Sequence, residues 1–291
     1  MNRTFETPDK VLLVVANSVG QVTVTAREGT TTEVTLEAQT AGGQELIERA
    51  VVESRRSGDR HVVVVRIPHK HGMKFVRRNA VNVRVDAPSG ADVDVTTASG
   101  DIELNGTVGE TQIKTASGDL NADDINGDLT AKTASGNISV DDVSGDVRWQ
   151  SASGDLQADR VSGRANVITA SGDVEVGSVG NRVDVRTSSG DVRLGYVSGD
   201  TSIVGVSGDV RVLSYASGRL QVRSVSADIT VGIAEGVSFA VDAESVSGTV
   251  SSEIPVDDFP ARRGGAPDVV IAAKTVSGDV QLERAVGVPA A

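Results

Sequence analysis

A chain of 291 residues with net charge −12, no cysteine and 2% aromatic residues excludes several classes before any motif is read. The acidic balance argues against nucleic acid as a partner of an extended surface. The missing cysteines rule out a disulfide framework and thiol chemistry, and no run approaches the roughly 20 apolar residues of a membrane-spanning helix.

The opening residues Met1-Asn2-Arg3-Thr4-Phe5-Glu6 do not read as a signal peptide. The apolar run Val11-Leu12-Leu13-Val14-Val15-Ala16 is too short and passes into a strand pattern. The expected location is therefore cytoplasmic. Gly20 precedes Val22 and Val24, and Gly29, nine residues on, precedes Val34 and Leu36. Residues 10–40 are thus expected to start a repeat that is plain further on. Residues 42–54 break it, with Leu46, Ile47, Ala50 and Val51 at helical spacing. A short helix of about two turns is expected there, inserted to cover strand edges at one end. His61–Ile67 and Val81–Val85 read as strands, with a loop from Pro68 to Asn79 between them.

From Pro88-Ser89-Gly90 onward a phrase returns: Thr97-Ala98-Ser99-Gly100-Asp101, Thr115-Ala116-Ser117-Gly118-Asp119, Thr133-Ala134-Ser135-Gly136-Asn137. Its glycines step by 18 residues through Gly154, Gly172 and Gly190 to Gly208. Weaker turn signals fall midway, at Gly109, Gly127, Gly145, Gly163, Gly180 and Gly199. Glycine beside serine and aspartate is turn chemistry, because glycine accepts positive φ and the polar neighbours bond nearby amides. Between turns the apolar residues alternate, as in Leu120 and Ala122, Val174 and Val176, Val183 and Val185. Period two means strands, and a fixed long period means stacked units that bury a face only against their neighbours. The expected fold is all-β: a single-chain β-solenoid (β-helix) with 18-residue coils, two main strands per coil, a short N-terminal helix insertion and end caps. A left-handed hexapeptide helix fails, since positions 102, 108, 114, 120 and 126 read Ile, Val, Lys, Leu, Asn. A sandwich of hairpins gives no reason for an 18-residue step. Inward positions hold small aliphatics with one aromatic, Trp149.

Residues 229–251 continue as strands with looser spacing. Residues 252–268 hold Pro255, Pro260, Pro267 and Gly264-Gly265 and read as a long surface loop. Val269–Ala273 and Ser277-Gly278-Asp279-Val280 supply a last coil, so the loop or that final strand covers the C-terminal end. Three regions follow: 1–90 with strands, capping helix and basic loop, 91–251 with the regular repeat, and 252–291 with the loop and last coil.

The Thr-Ala-Ser-Gly-Asp-Val phrase, with the opening Asn17-Ser18-Val19-Gly20-Gln21-Val22, resembles the bacterial putative-adhesin family of β-strand-repeat proteins of unknown function. The resemblance spans about residues 10–285. It implies a surface-interaction role and no catalytic residues.

Two groups could carry chemistry. Asp101, Asp119, Asp155, Asp173, Asp191 and Asp209, with Asn137, form one column if the repeats stack in register. Stacked carboxylates repel unless backbone amides or a hard cation such as calcium satisfy them. The amide reading is preferred, because each nonapeptide offers a single Gly-Asp and few ligands. No metal or other cofactor is therefore expected. The second group is basic. Residues 55–78 hold Arg55, Arg56, Arg60, Arg66, Lys70, Lys74, Arg77 and Arg78 against Asp59, a local +7 that leaves −19 on the rest. Its functional reading is a docking site for an anionic partner, with Arg55, Arg56, Arg60, Lys70, Lys74, Arg77 and Arg78 as the contacts. The plainer reading is a solvated cap balancing acidic neighbours. His69-Lys70-His71 is a poor metal set. With no histidine in the repeat, its serines cannot form a Ser-His-Asp triad, and Tyr196 and Tyr215 are the only aromatics left to stack on a sugar. The sequence thus reads as a non-catalytic scaffold or adhesin-like interaction protein with a protein or envelope-associated partner. The alternative is a polymerising cytoskeletal solenoid of the bactofilin type, in which the chain assembles with itself.

Overall fold

Apolar alternation becomes strand almost everywhere in the computed structural model, which describes residues 1–68, 80–254 and 267–285. The chain divides into two compact units, Met1–Gly145 and Asp146–Ala291.

In chain order the first unit holds β1 (Asn2–Glu6), β2 (Lys10–Asn17), β3 (Val22–Arg27) and β4 (Thr31–Ala38). After α1 (Ala41–Glu48) come β5 (Val51–Ser57), β6 (Arg60–Arg66), β7 (Val81–Pro88), β8 (Asp92–Thr97) and β9 (Ile102–Val108). The unit ends with β10 (Thr111–Lys114), β11 (Leu120–Ile125), β12 (Leu129–Lys132) and β13 (Ile138–Val143). These strands form two ladders. One runs β1–β4–β7–β3–β9–β11–β13. The other runs β5–β6–β2–β8–β10–β12. In the repeat each strand pairs in parallel with the strand two further along, so Ile102 faces Leu120, Leu120 faces Ile138 and Ile113 faces Ala131. Those partners are 18 residues apart, as the sequence periodicity requires.

The second unit holds β14 (Val147–Gln150), β15 (Leu156–Val161), β16 (Ala165–Ile168), β17 (Val174–Val179), β18 (Val183–Arg186), β19 (Val192–Ser198) and β20 (Thr201–Val204). Then follow β21 (Val210–Arg223), β22 (Ile229–Ile233), β23 (Phe239–Ser247), β24 (Val250–Ser252), β25 (Val269–Ser277) and β26 (Val280–Arg284). Its ladders run β15–β17–β19–β21–β22–β26–β24 and β14–β16–β18–β20–β21–β25–β23. Every one of those pairs is parallel. The long β21 serves both, its first half in one ladder and its second half in the other.

The six-residue strands do not alternate to their ends. In β11, Leu120 and Ala122 point inward, two outward residues follow, and Ile125 turns inward again. Val143, Val161, Val179 and Val197 repeat that last position, and all are buried. With Leu129 and Ala131 of β12 this gives five inward apolar side chains per repeat. Full burial of an aliphatic side chain stabilises by about 1.5–3 kcal/mol, so lining up these columns dominates the stacking energy. Trp149 is buried in the same way, facing Val167 on the next strand.

Several expectations change at the ends. The helix stops at Glu48, and Val51 and Val52 belong to β5, which pairs antiparallel with β6 through the turn at Gly58. β-Branched residues beside the Val62–Val65 strand gain more from pairing than from another helical turn. Thr40 caps α1 by accepting the Gly43 amide at 3.2 Å, and Leu46 and Ile47 are buried. Residues 31–38 do not continue the repeat, because β4 runs antiparallel to both β1 and β7. Chain order and stacking order also part company. β2 lies between β6 and β8, and β3 between β7 and β9. The last strands do not cover the C-terminal end: β25 and β26 are inner strands, and β23 and β24 are outermost among the described residues. Most of the expected loops at 68–79 and 252–268 lies outside the described residues.

Candidate functional surface of the turn ladders and the basic strand

Each residue of the repeated phrase has an assignable bond. Thr115 Oγ1 accepts the Gly118 amide at 2.9 Å, and Thr169 Oγ1 accepts that of Gly172 at 3.0 Å. The Ala98 carbonyl accepts the amides of Ala116 and Ser117 from the next repeat. Ser117 Oγ donates to the same carbonyl at 3.4 Å. A Cβ placed on Gly118, Gly136, Gly172 or Gly190 would collide with the carbonyl oxygen of the glycine one repeat earlier. None of these four has positive φ, so the reason for glycine differs from the one expected. It lets the corners of successive repeats touch.

The aspartates complete the phrase. Asp101 Oδ1 accepts the Asp119 amide at 3.2 Å, and Asp119 Oδ1 accepts the Asn137 amide at 2.8 Å. In the second unit Asp155 accepts from Asp173 at 2.9 Å, Asp173 from Asp191 at 2.8 Å, and Asp191 from Asp209 at 2.8 Å. The series extends to Asp228, Asp279 and Thr249. A carboxylate bound to a backbone amide makes a charge-assisted bond. The column therefore fixes the register between repeats. Among the described residues no three histidine, aspartate or glutamate side chains gather as metal ligands. A second column at the midway turns escaped the sequence reading: Asp92, Asp146 and Asp200 accept the amides of Glu110, Arg164 and Arg219. The pairs Gly145-Asp146 and Gly199-Asp200 carried the signal.

The basic residues fall into two sets. Arg55 and Arg56 lie on β5 and Arg60 begins β6, so the first part of the stretch is a hairpin and not a loop. Arg56 pairs with Asp9 at 3.0 Å, and Arg60 lies 3.7 Å from Asp92. His61 Nε2 stands 3.6 Å from the same Asp9 carboxylate. These distances suit the balanced-cap reading for Arg56 and Arg60. Lys70, Lys74, Arg77 and Arg78, with His69 and His71, lie outside the described residues.

Two further groups are electrostatically marked. Arg182 grips Asp184 through two bonds of 2.6 and 3.0 Å, and this hydrogen bonding holds the Asp184 carboxyl below the usual carboxylate range. Tyr215 is fully buried, its hydroxyl donating to the Gly199 carbonyl at 2.6 Å. Burial pushes its phenol up to about 12, with Asp200 adding to the effect. It is thus unavailable for stacking on a sugar.

Parallel ladders, glycine corners and amide-bound aspartates define a β-strand-repeat protein with a solenoid-like architecture. A family profile described as Toastrack DUF4097 matches residues 54–141 and 123–283, and the chain belongs to that family. No curated protein matches it. Among solved structures it is similar to a putative adhesin from Parabacteroides merdae, at 12% identity over 97% of this chain and 95% of that one, with TM-score 0.43. A putative adhesin from Bacteroides fragilis matches at 11% identity over 97% and 96%, with TM-score 0.38. A putative lipid binding protein from Parabacteroides distasonis matches at 14% identity over 97% and 96%, with TM-score 0.36. Among the described residues no helix is long and apolar enough to cross a membrane.

Proposed function

We propose that the chain is a non-catalytic β-solenoid, with 18-residue coils and two main strands per coil, that acts as a rigid scaffold for an adhesin-like interaction with a protein or envelope-associated partner. The observation that carries this reading is the use of the phrase itself. Its serine, glycine and aspartate are spent on bonds or contacts between repeats, and its threonine on the turn within each repeat. Recognition then belongs to the outward residues that vary from repeat to repeat, such as Glu175, Arg193 and Arg211 in register on β17, β19 and β21, or to the basic stretch.

The test is retention of the purified protein on an envelope fraction of the source cell. Two variants accompany it. One neutralises Arg55, Arg56, Lys70, Lys74, Arg77 and Arg78. The other replaces Glu175, Arg193 and Arg211 by alanine. Loss in the first alone places the contact on the basic stretch, and loss in the second alone places it on the ladder face. Failure of the intact protein to be retained overturns the reading, and so does hydrolysis of any glycan by the protein.

A further inference from the structure

The outermost strands of the two units are built differently. In the first unit, β1 and β5 are outermost among the described residues, and both are antiparallel to their inner neighbours. They carry Arg3 and Glu6, and Glu53, Arg55 and Arg56. Charged edges of this kind are how sheets resist further pairing. In the second unit the outermost strands, β23 and β24, are parallel continuations of the repeat itself. Among the described residues β23 is bonded to β25 and β24 to β26, each on one side only.

That edge leaves core positions in solvent. Val241 stacks on buried Ile271 and Val250 on buried Val280, yet they are 38% and 46% exposed. A stack of repeats normally needs a polar terminal unit to end it. β23 has no proline, lysine or arginine to blunt its edge. Its two acids, Asp242 and Glu244, are both held by Lys274 of the inner neighbour, at 3.5 and 3.0 Å. One lysine against two acids leaves only −1 on the edge, so two like edges can approach without strong repulsion.

We propose that the β23–β24 edge binds a second copy of this chain, edge to edge about a two-fold axis, with β23 antiparallel to its equivalent and β24 to its own. A two-fold contact uses the same patch on both copies and closes after one partner. The β23 edge supplies the backbone hydrogen bonds, and Val241 and Val250 of both copies close the exposed core layer. With 9 and 3 residues on the two strands, the contact falls short of the roughly 20–30 residues a side of a standard interface. The association is therefore weak and lost on dilution.

Sedimentation velocity of the full chain over a range of concentrations, with hydrogen exchange of the β23 amides, tests this. The expected result is a reversible monomer–dimer equilibrium, with β23 amides protected in the dimer and exchanging on dilution. Val241→Lys places a charge in the contact and should weaken dimerisation by about tenfold or more. Its circular dichroism should match that of the dilute wild type. A monomer at all concentrations overturns the proposal. If its β23 amides are protected, the chain's own residues cover the edge; if they exchange fast, the edge stays open. Filaments overturn the two-fold closure, and a dimer indifferent to Val241→Lys overturns the location.

Discussion

Asp173 shows what a single residue does in this protein. Its carboxylate accepts the Asp191 amide at 2.8 Å, while its own amide is bound by Asp155. Asp173→Ala leaves one amide without its acceptor and should cost about 1–2 kcal/mol in urea unfolding. Because the carboxylates are used by amides, millimolar calcium should leave the melting temperature unchanged. Gly172 and Gly205 make an internal comparison. A methyl on Gly172 meets the Gly154 carbonyl, whereas one on Gly205 meets nothing closer than 3.7 Å. Gly172→Ala should destabilise by about 2–3 kcal/mol and Gly205→Ala by well under 1 kcal/mol. Tyr215 sets a pH response. Its phenol titrates at about 12 in the folded chain against about 10 when unfolded. The stability it contributes is intact below pH ~10 and is lost as pH rises toward 12. Tyr215→Phe should flatten that fall in a melting-temperature profile.

At the scale of elements, the last strands of the chain, β25 and β26, are inner layers. β25 and β26 separate β22 and the second half of β21 from β23 and β24. Ending the chain after Glu253 removes a layer with neighbours on both sides. The cut should destabilise the whole second unit rather than peel off one edge, since each repeat is stabilised mainly by its neighbours. Trp149 reports on the outcome, being the chain's one tryptophan and buried against Val167. Its emission should shift to the red at lower denaturant in the shortened chain than in the full one. Unchanged midpoints would mean that the inserted layer is not structural.

At the scale of the whole molecule, the proposed coil size has a direct test. Duplicating residues 155–172 adds one complete 18-residue repeat and should be tolerated, with an unchanged or higher melting temperature. Duplicating nine residues sends every following strand to the wrong ladder. Aspartates and glycine corners then no longer meet their partners, and soluble folded protein should be lost.

The parallel ladders of the middle of the chain were legible in the sequence. One set of side chains must recur at 18 residues for inward columns such as Leu120 and Ile138 to stack, and that recurrence is visible without coordinates. The role of the glycines was legible only in part: their spacing is in the sequence, but the carbonyl that excludes a side chain comes from another repeat. The inward turn of Ile125 and its equivalents broke simple alternation because two consecutive residues face outward before it. The ends were not legible. Parallel and antiparallel pairing use the same alternating residues, so nothing local told β4 to reverse or β25 to slide between earlier layers. The basic stretch was visible as charge, yet the contacts of Arg56 with Asp9 and Arg60 with Asp92 join residues 47 and 32 apart. Periodicity is a local property and fixed the repeat. Stacking order is a competition among distant edges, and only the tertiary structure decided it.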